Sequence, residues 1–142
     1  MSALKTTLVA AVALAGGTHL WHVHQRHLAD VQLRAQADTS GFVPVLMSDG
    51  APRDVVLILA PLNCPSAAAQ RAHLIETRLN ELGIRNQRTN NYSIRPTPDN
   101  KADVERTASV LNGGVPIVIF NGRGKANPTP EDVIAEYRRS GA

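Results

Sequence analysis

The chain has 142 residues, 43% of them hydrophobic and 19% charged, enough for one core and no more than one full domain. Its net charge is +3, and the arginines from Arg71 to Arg139 are scattered among acids with no basic tract interleaved with aromatics, which argues against a nucleic-acid surface. A single cysteine excludes an internal disulfide, and two Phe, two Tyr and one Trp leave the core to aliphatic side chains.

Residues 1–27 read as an N-terminal membrane anchor or signal segment. Lys5 precedes an apolar run from Leu8 to Ala15, and Thr6 to Val23 carries no formal charge, about the length of a spanning helix at roughly 17–25 residues. Ala13-Leu14-Ala15 offers a small-residue cleavage site, so a cleaved signal is the alternative. Trp21 and the His- and Arg-rich residues after it suit a membrane–water interface and favour an uncleaved anchor. With a short cytoplasmic N-terminus, the expected placement is a single pass through a bacterial inner membrane with the domain in the periplasm; cleavage would instead export the chain. His19, His22, His24 and His27 fan out around a helix rather than converging, so no metal site is expected there.

Residues 28–50 are expected to form a stalk and an accessory strand. The helix extends through residues 28–40 and ends at Gly41, and Val43 to Met47 is a short apolar edge strand before the turn at Ser48-Asp49-Gly50 and Pro52. Residues 51–142 form the domain. Val55 to Ala60 is an unbroken apolar run, the signature of a central strand covered on both faces. After Pro65, Ala68, Ala72, Ile75, Leu79 and Leu82 recur at helical spacing and Gly83 ends the helix.

Residues 84–94 give a second, polar strand. A second helix runs from about Asp99, with Val104, Ala108 and Leu111 on one side and Gly113 as its stop. Ile117 to Phe120 is a strong strand, Asn121-Gly122 a tight hairpin turn, and a short strand returns near Lys125. The last helix is capped by Thr129, with Pro130 at N1 and Asp132 at N3; Val133, Ile134 and Tyr137 supply its apolar side, and Arg138, Arg139 and Gly141 its far end. From Val55 the order is β-α-β-α-β-β-α.

This order puts the lone Cys64 beyond the first strand, at or beside the N-cap of the first helix, with Pro65 at N1. Exposed amides and the helix dipole stabilise a thiolate in that position and lower its pKa from about 8.5. A cysteine there is a candidate nucleophile rather than core filler. Val115-Pro116 opens the hairpin strand; an X-Pro bond in such a place is ordinarily trans.

From Val55 to Gly141 the chain resembles the thioredoxin-fold superfamily, and within it the glutaredoxins. "VVLILA" leading into "NCPSA" is similar to the Cys-Pro active-site turn, "GVPIVIF" to the cis-proline strand, and "NGRGKANPTPEDV" to the hairpin and closing helix. The resemblance implies a thioredoxin-like three-layer α/β sandwich with Cys64 as the attacking thiol. It also implies that Pro116 is cis beside the thiol, that Val115 pairs through its backbone with a bound thiol substrate, and that Pro65 belongs to the same substrate site. Ala67 stands where dithiol members carry a resolving cysteine. A mixed disulfide on Cys64 must then be resolved by an external thiol, with glutathione as a candidate co-substrate. Pro61 stands where glutaredoxins often place a basic residue for the glutathione carboxylate, so the likeness covers the fold better than the ligand site.

The expectation is a membrane-tethered protein that carries out thiol–disulfide exchange or deglutathionylation by a monothiol route, without a resident cofactor, on protein or small-molecule thiols and disulfides. The alternative is a noncatalytic thioredoxin-fold module of a cell-envelope complex. An accessible unpaired thiol also allows a disulfide-linked dimer. An arsenate-reductase-like oxyanion site would need an arginine nearer the cysteine than Arg71, and His73 falls inside a helix with no Ser-His-acid set around it.

Overall fold

The computed structural model describes Trp21, His24, His27, Leu28, Val31, Ala37, residues 40–63 and residues 65–141. The chain divides into two compact units, Met1–Ala35 and Gln36–Ala142. In the first, Trp21, His24, His27, Leu28 and Val31 are helical and exposed. Among the described residues no helix is long and apolar enough to cross a membrane. Of the expected anchor or signal, only Trp21, His24 and His27 fall within the described residues.

The second unit is a mixed α/β fold. Its strands are β1 (Val43–Pro44), β2 (Val56–Leu59), β3 (Asn86–Thr89), β4 (Ile117–Phe120) and β5 (Arg123–Ala126); its helices are α1 (Ala67–Glu81), α2 (Lys101–Leu111) and α3 (Pro130–Arg139). The sheet order is β1-β5-β4-β2-β3. β2 and β3 run parallel, joined through α1, while β4 is antiparallel to β2 and β5, and β1 is antiparallel to β5. Within the described residues β1 and β3 are therefore the two edges.

Every residue of β2 and β4 is buried, because a strand in the middle of a sheet with helices on both faces meets apolar neighbours above and below. On one face Val56, Ile58, Val118 and Phe120 join Ala72, Ile75 and Leu79 of α1 and Val133 and Ile134 of α3 in one core. Side chains alternate along a strand, so Leu57, Leu59, Ile117 and Ile119 fill the opposite face. Lys125 reaches α3 through Asp132, whereas Ala126 lies against Gly113 just beyond α2, which puts α2 on that opposite face.

The helix ends follow from local chemistry. Leu82 closes α1; Gly83 follows at φ +67 and donates to the Asn80 carbonyl, and Ile84 donates to Leu79, the paired bonds that a left-handed residue after a helix permits. The stop expected at Gly113 falls one residue earlier, where Asn112 caps α2, and no positive φ occurs at Gly113. A Cβ there would sit 2.4 Å from the Ala126 Cβ, so close packing against β5 requires glycine. The buried residues of α2 are Thr107 and Val110, one position away from the expected Val104, Ala108 and Leu111 side. Thr107 is tolerated inside because its hydroxyl donates to the Asp103 carbonyl and accepts the Leu46 amide. At α3, Thr129 and Asp132 form a reciprocal capping box behind Pro130.

Residues 40–48 form a strap along β5 and the β4–β5 turn. Phe42 is wholly buried. Arg123 donates to the Phe42 carbonyl, Lys125 to the Ser40 carbonyl, and Arg106 to the Pro44 carbonyl. Tyr92 donates its hydroxyl to the Leu46 carbonyl; burial pushes its pKa up to about 12 against a smaller downward effect of the Ser48 backbone. Behind the strap lies Glu136 of α3, fully buried, which accepts from Ser40 and Arg139 and pairs with Arg123 at 3.2 Å.

Removing one member of a buried ion pair leaves the other uncompensated. Glu136→Ala is therefore expected to destabilise the fold by about 3 kcal/mol, read from the midpoint and slope of urea unfolding. At Asp132 burial pushes the carboxyl up, but hydrogen bonds from Lys125 and Thr129 and the Lys125 charge outweigh it and hold the pKa below its ordinary value. A lowered folded-state pKa stabilises above the unfolded value and is lost as pH falls through the folded one. The stability difference between the parent chain and Asp132→Asn is thus expected at pH 6 to 7 and should shrink below about pH 4, measured as urea midpoints across that range.

Candidate functional site

The site builds at one end of the sheet, where β2 ends and β4 begins. Leu59 pairs with Ile117, which sets the turn after Ala60 beside the residues that enter β4. Pro61 is half-buried, Leu62 is 46% exposed, and Asn63 and Pro65 are exposed. Opposite this turn Val115 is 39% exposed, Pro116 is buried, and the peptide bond between them is cis. The Pro116 carbonyl accepts the Asn127 amide at 2.7 Å, which ties the start of β4 to the end of β5. Cys64 lies outside the described residues.

The helix begins later than its sequence suggested. Ser66 is the N-cap of α1, with extended backbone and its hydroxyl accepting the Ala69 amide at 3.2 Å; Ala67 is the first helical residue. Pro65 is therefore not at N1, and Cys64 stands two positions before the cap in sequence. The physical reason is that a serine hydroxyl is a far better amide acceptor than a thiol. The signal was present as Ser before the run Ala67-Ala68-Ala69, but Pro65 pointed two residues early.

The first turn of α1 holds no acidic residue, so nothing on the helix itself offsets the partial positive charge at its start. α3, by contrast, carries Glu131 and Asp132 in its first turn. Two arginines pack around this end of α1. Arg88 of β3 donates to the Ala69 carbonyl at 2.8 Å and lies 3.5 Å from Glu76. Arg71 donates to the Val115 carbonyl at 2.7 Å and has no carboxylate partner among the described residues. Spacing alone gave no sign that Arg71 would reach the proline-containing turn, because the two are 44 residues apart.

The structure thus brings Val115 and Pro116 to the same end of the sheet as Pro65, with Arg71 joining the helix to the strand entry. An open depression of about 570 Å³ lies elsewhere, lined by Val55, Asn80, Gly83, Ile84, Arg85 and Asn86 at the far ends of β2 and β3. Its one charged side chain, Arg85, is paired with Asp54, so it lacks the convergent unpaired polar groups of a ligand site. Among the described residues no group of three His, Cys, Asp or Glu side chains is placed to hold a metal ion. His73 is exposed on α1 near Glu76.

No family model, curated protein or solved structure matches the chain.

The cap is open to direct test. Ser66→Ala removes the acceptor for the Ala69 amide and is expected to cost about 1 kcal/mol of stability, with faster hydrogen exchange confined to the first turn of α1.

Proposed function

We propose that the chain from Val55 to Gly141 is a thioredoxin-like domain of monothiol, glutaredoxin-like type, with Cys64 as its reacting group. The observation that carries this reading is the bond from Arg71 to the Val115 carbonyl. It draws the start of α1 onto the cis-proline entry of β4, the two segments that the resemblance assigns to thiol chemistry. The element order and the sheet order β5-β4-β2-β3 support the same reading.

Chemically, the Cys64 thiol loses its proton to solvent and the thiolate attacks one sulfur of a disulfide R–S–S–R. The Cys64–S–S–R bond forms as the original S–S bond breaks, and RS⁻ leaves. With one cysteine in the chain, a second, external thiol must attack the mixed disulfide to return Cys64 to its reduced form. On this reading the start of α1, with no acidic residue in its first turn, favours the thiolate over the thiol. Val115, exposed beside the buried Pro116, offers backbone and apolar surface to the incoming group. On this reading residues 1–27 anchor the domain to a bacterial inner membrane on its periplasmic side.

The same bond also bears on a second reading. The Val115 carbonyl, which would pair with a thiol substrate, is already taken by Arg71. A domain whose substrate-pairing backbone is closed by its own arginine suits a noncatalytic binding module.

Iodoacetamide labelling of the folded chain against pH separates the two. Labelling of Cys64 with a midpoint below about 7.5 is expected for an activated thiol. Labelling only above pH 8, with Cys64→Ser keeping full biological activity, would reject the redox role and leave the binding module.

A further inference from the structure

We infer that Met47 makes the strap a joint sensitive to oxidation. Two bonds fasten the strap to the hairpin turn, and both go to one residue. The Val45 amide donates to the Gly122 carbonyl at 2.8 Å, and the Gly122 amide donates to the Met47 Sδ at 3.1 Å. Gly122 sits at φ +74 beside Asn121 at φ +47, so the turn is fixed in the one backbone form that directs these groups at the strap. Met47 is only partly buried, which leaves its sulfur within reach of a small peroxide. Every other strap acceptor named above is an oxygen that mild oxidants leave unchanged.

The chemistry balances with a hydroperoxide as the oxidant. The Met47 sulfur gives an electron pair to one peroxide oxygen, the O–O bond breaks, the sulfoxide S–O bond forms, and water or an alcohol departs. A dithiol reductase of the methionine sulfoxide class reverses the step, removing the oxygen as water while the dithiol becomes a disulfide. In the thioether, Sδ meets the Gly122 amide directly. The added oxygen either occupies that approach, pushing the side chain away from the turn, or points elsewhere and leaves the amide facing a positively polarised sulfur with one lone pair in place of two. Either way the thioether contact is lost and a polar group enters a partly apolar joint. The effect falls where the strap passes from the sheet edge towards Ser48, and it does not depend on the chemistry at Cys64.

Full-length chain carrying Cys64→Ser, so that one internal sulfur reacts, is treated with hydrogen peroxide and examined by peptide mapping and amide hydrogen exchange. Met47 is the chain's only methionine besides Met1, which makes the assignment clean. Expected is one oxygen on Met47 and a rise of about fivefold in exchange at Val45 and Gly122, the factor that one ordinary hydrogen bond contributes. Exchange in α1 should be unchanged, and reduction by a methionine sulfoxide reductase should restore the slow rates. Met47→Leu in the same background should show no peroxide effect at either amide. Met47 resisting peroxide in the folded chain, or oxidised Met47 with Val45 and Gly122 exchanging at their original rates, would overturn the inference.

Discussion

Two adjacent strands with no exposed face govern this fold. β2 and β4 bury every side chain, so each face of the sheet has to be covered, and the rest of the second unit is the means of covering it. α1 and α3 close one face with a shared aliphatic core; α2 and the end of the strap close the other. Because the chain carries few aromatics, that core is made chiefly of branched aliphatic residues, with Phe120 stacked obliquely on Tyr137 at 5.3 Å and Phe42 brought in from the strap. The antiparallel pairing of β2 with β4 also sets where the two turns meet. It is the register Leu59 to Ile117, and not any feature of the cysteine, that brings the segment after β2 alongside Val115 and Pro116.

The strap shows how polar groups complete what apolar burial begins. It contributes only two residues of strand, too few to hold by backbone pairing alone. Its carbonyls are instead taken by Arg106, Arg123, Lys125 and Tyr92, long side chains that reach over from α2, β5 and the segment after β3. Glu136 sits where Arg123, Arg139 and the Ser40 hydroxyl converge, and its burial is possible because charge and hydrogen bonds meet it on several sides. The same cluster fixes the direction in which the chain enters the sheet from Ser40.

Much of this order was legible because it rests on local patterns. The apolar runs at Val55–Ala60 and Ile117–Phe120, the helical spacing from Ala68 to Leu82, the Asn121-Gly122 turn and the Thr129-Pro130 cap all act over a few residues; each lies where those patterns put it except at the ends of the first helix, where Ala69 is buried in place of Ala68 and Leu82 is 43% exposed. What was not legible depends on neighbours distant in sequence. Gly113 looks like a helix stop but exists for Ala126. Glu136 looks like a solvated residue of a polar helix side but is the interior partner of Arg123. The burial of Thr107 makes sense only once Leu46 is beside it. At the site the start of α1 moved to Ser66, since one hydroxyl outcompeted the proline that marked the turn, and the reach of Arg71 to Val115 follows from sheet register that no spacing rule contains.

The two margins of the sheet have a further consequence for how the protein behaves at high concentration. Strands that end a sheet can recruit a strand from another molecule and seed fibrous or amorphous association. Here one margin is the two-residue β1, broken by Pro44, which has no amide to donate. The other is β3, Asn-Gln-Arg-Thr, with no apolar residue and with the charge of Arg88 held beneath α1. A neighbouring chain that tried to extend the sheet there would have to desolvate polar side chains against nothing apolar. The aliphatic interior is thereby enclosed between borders that disfavour recruitment of a further strand.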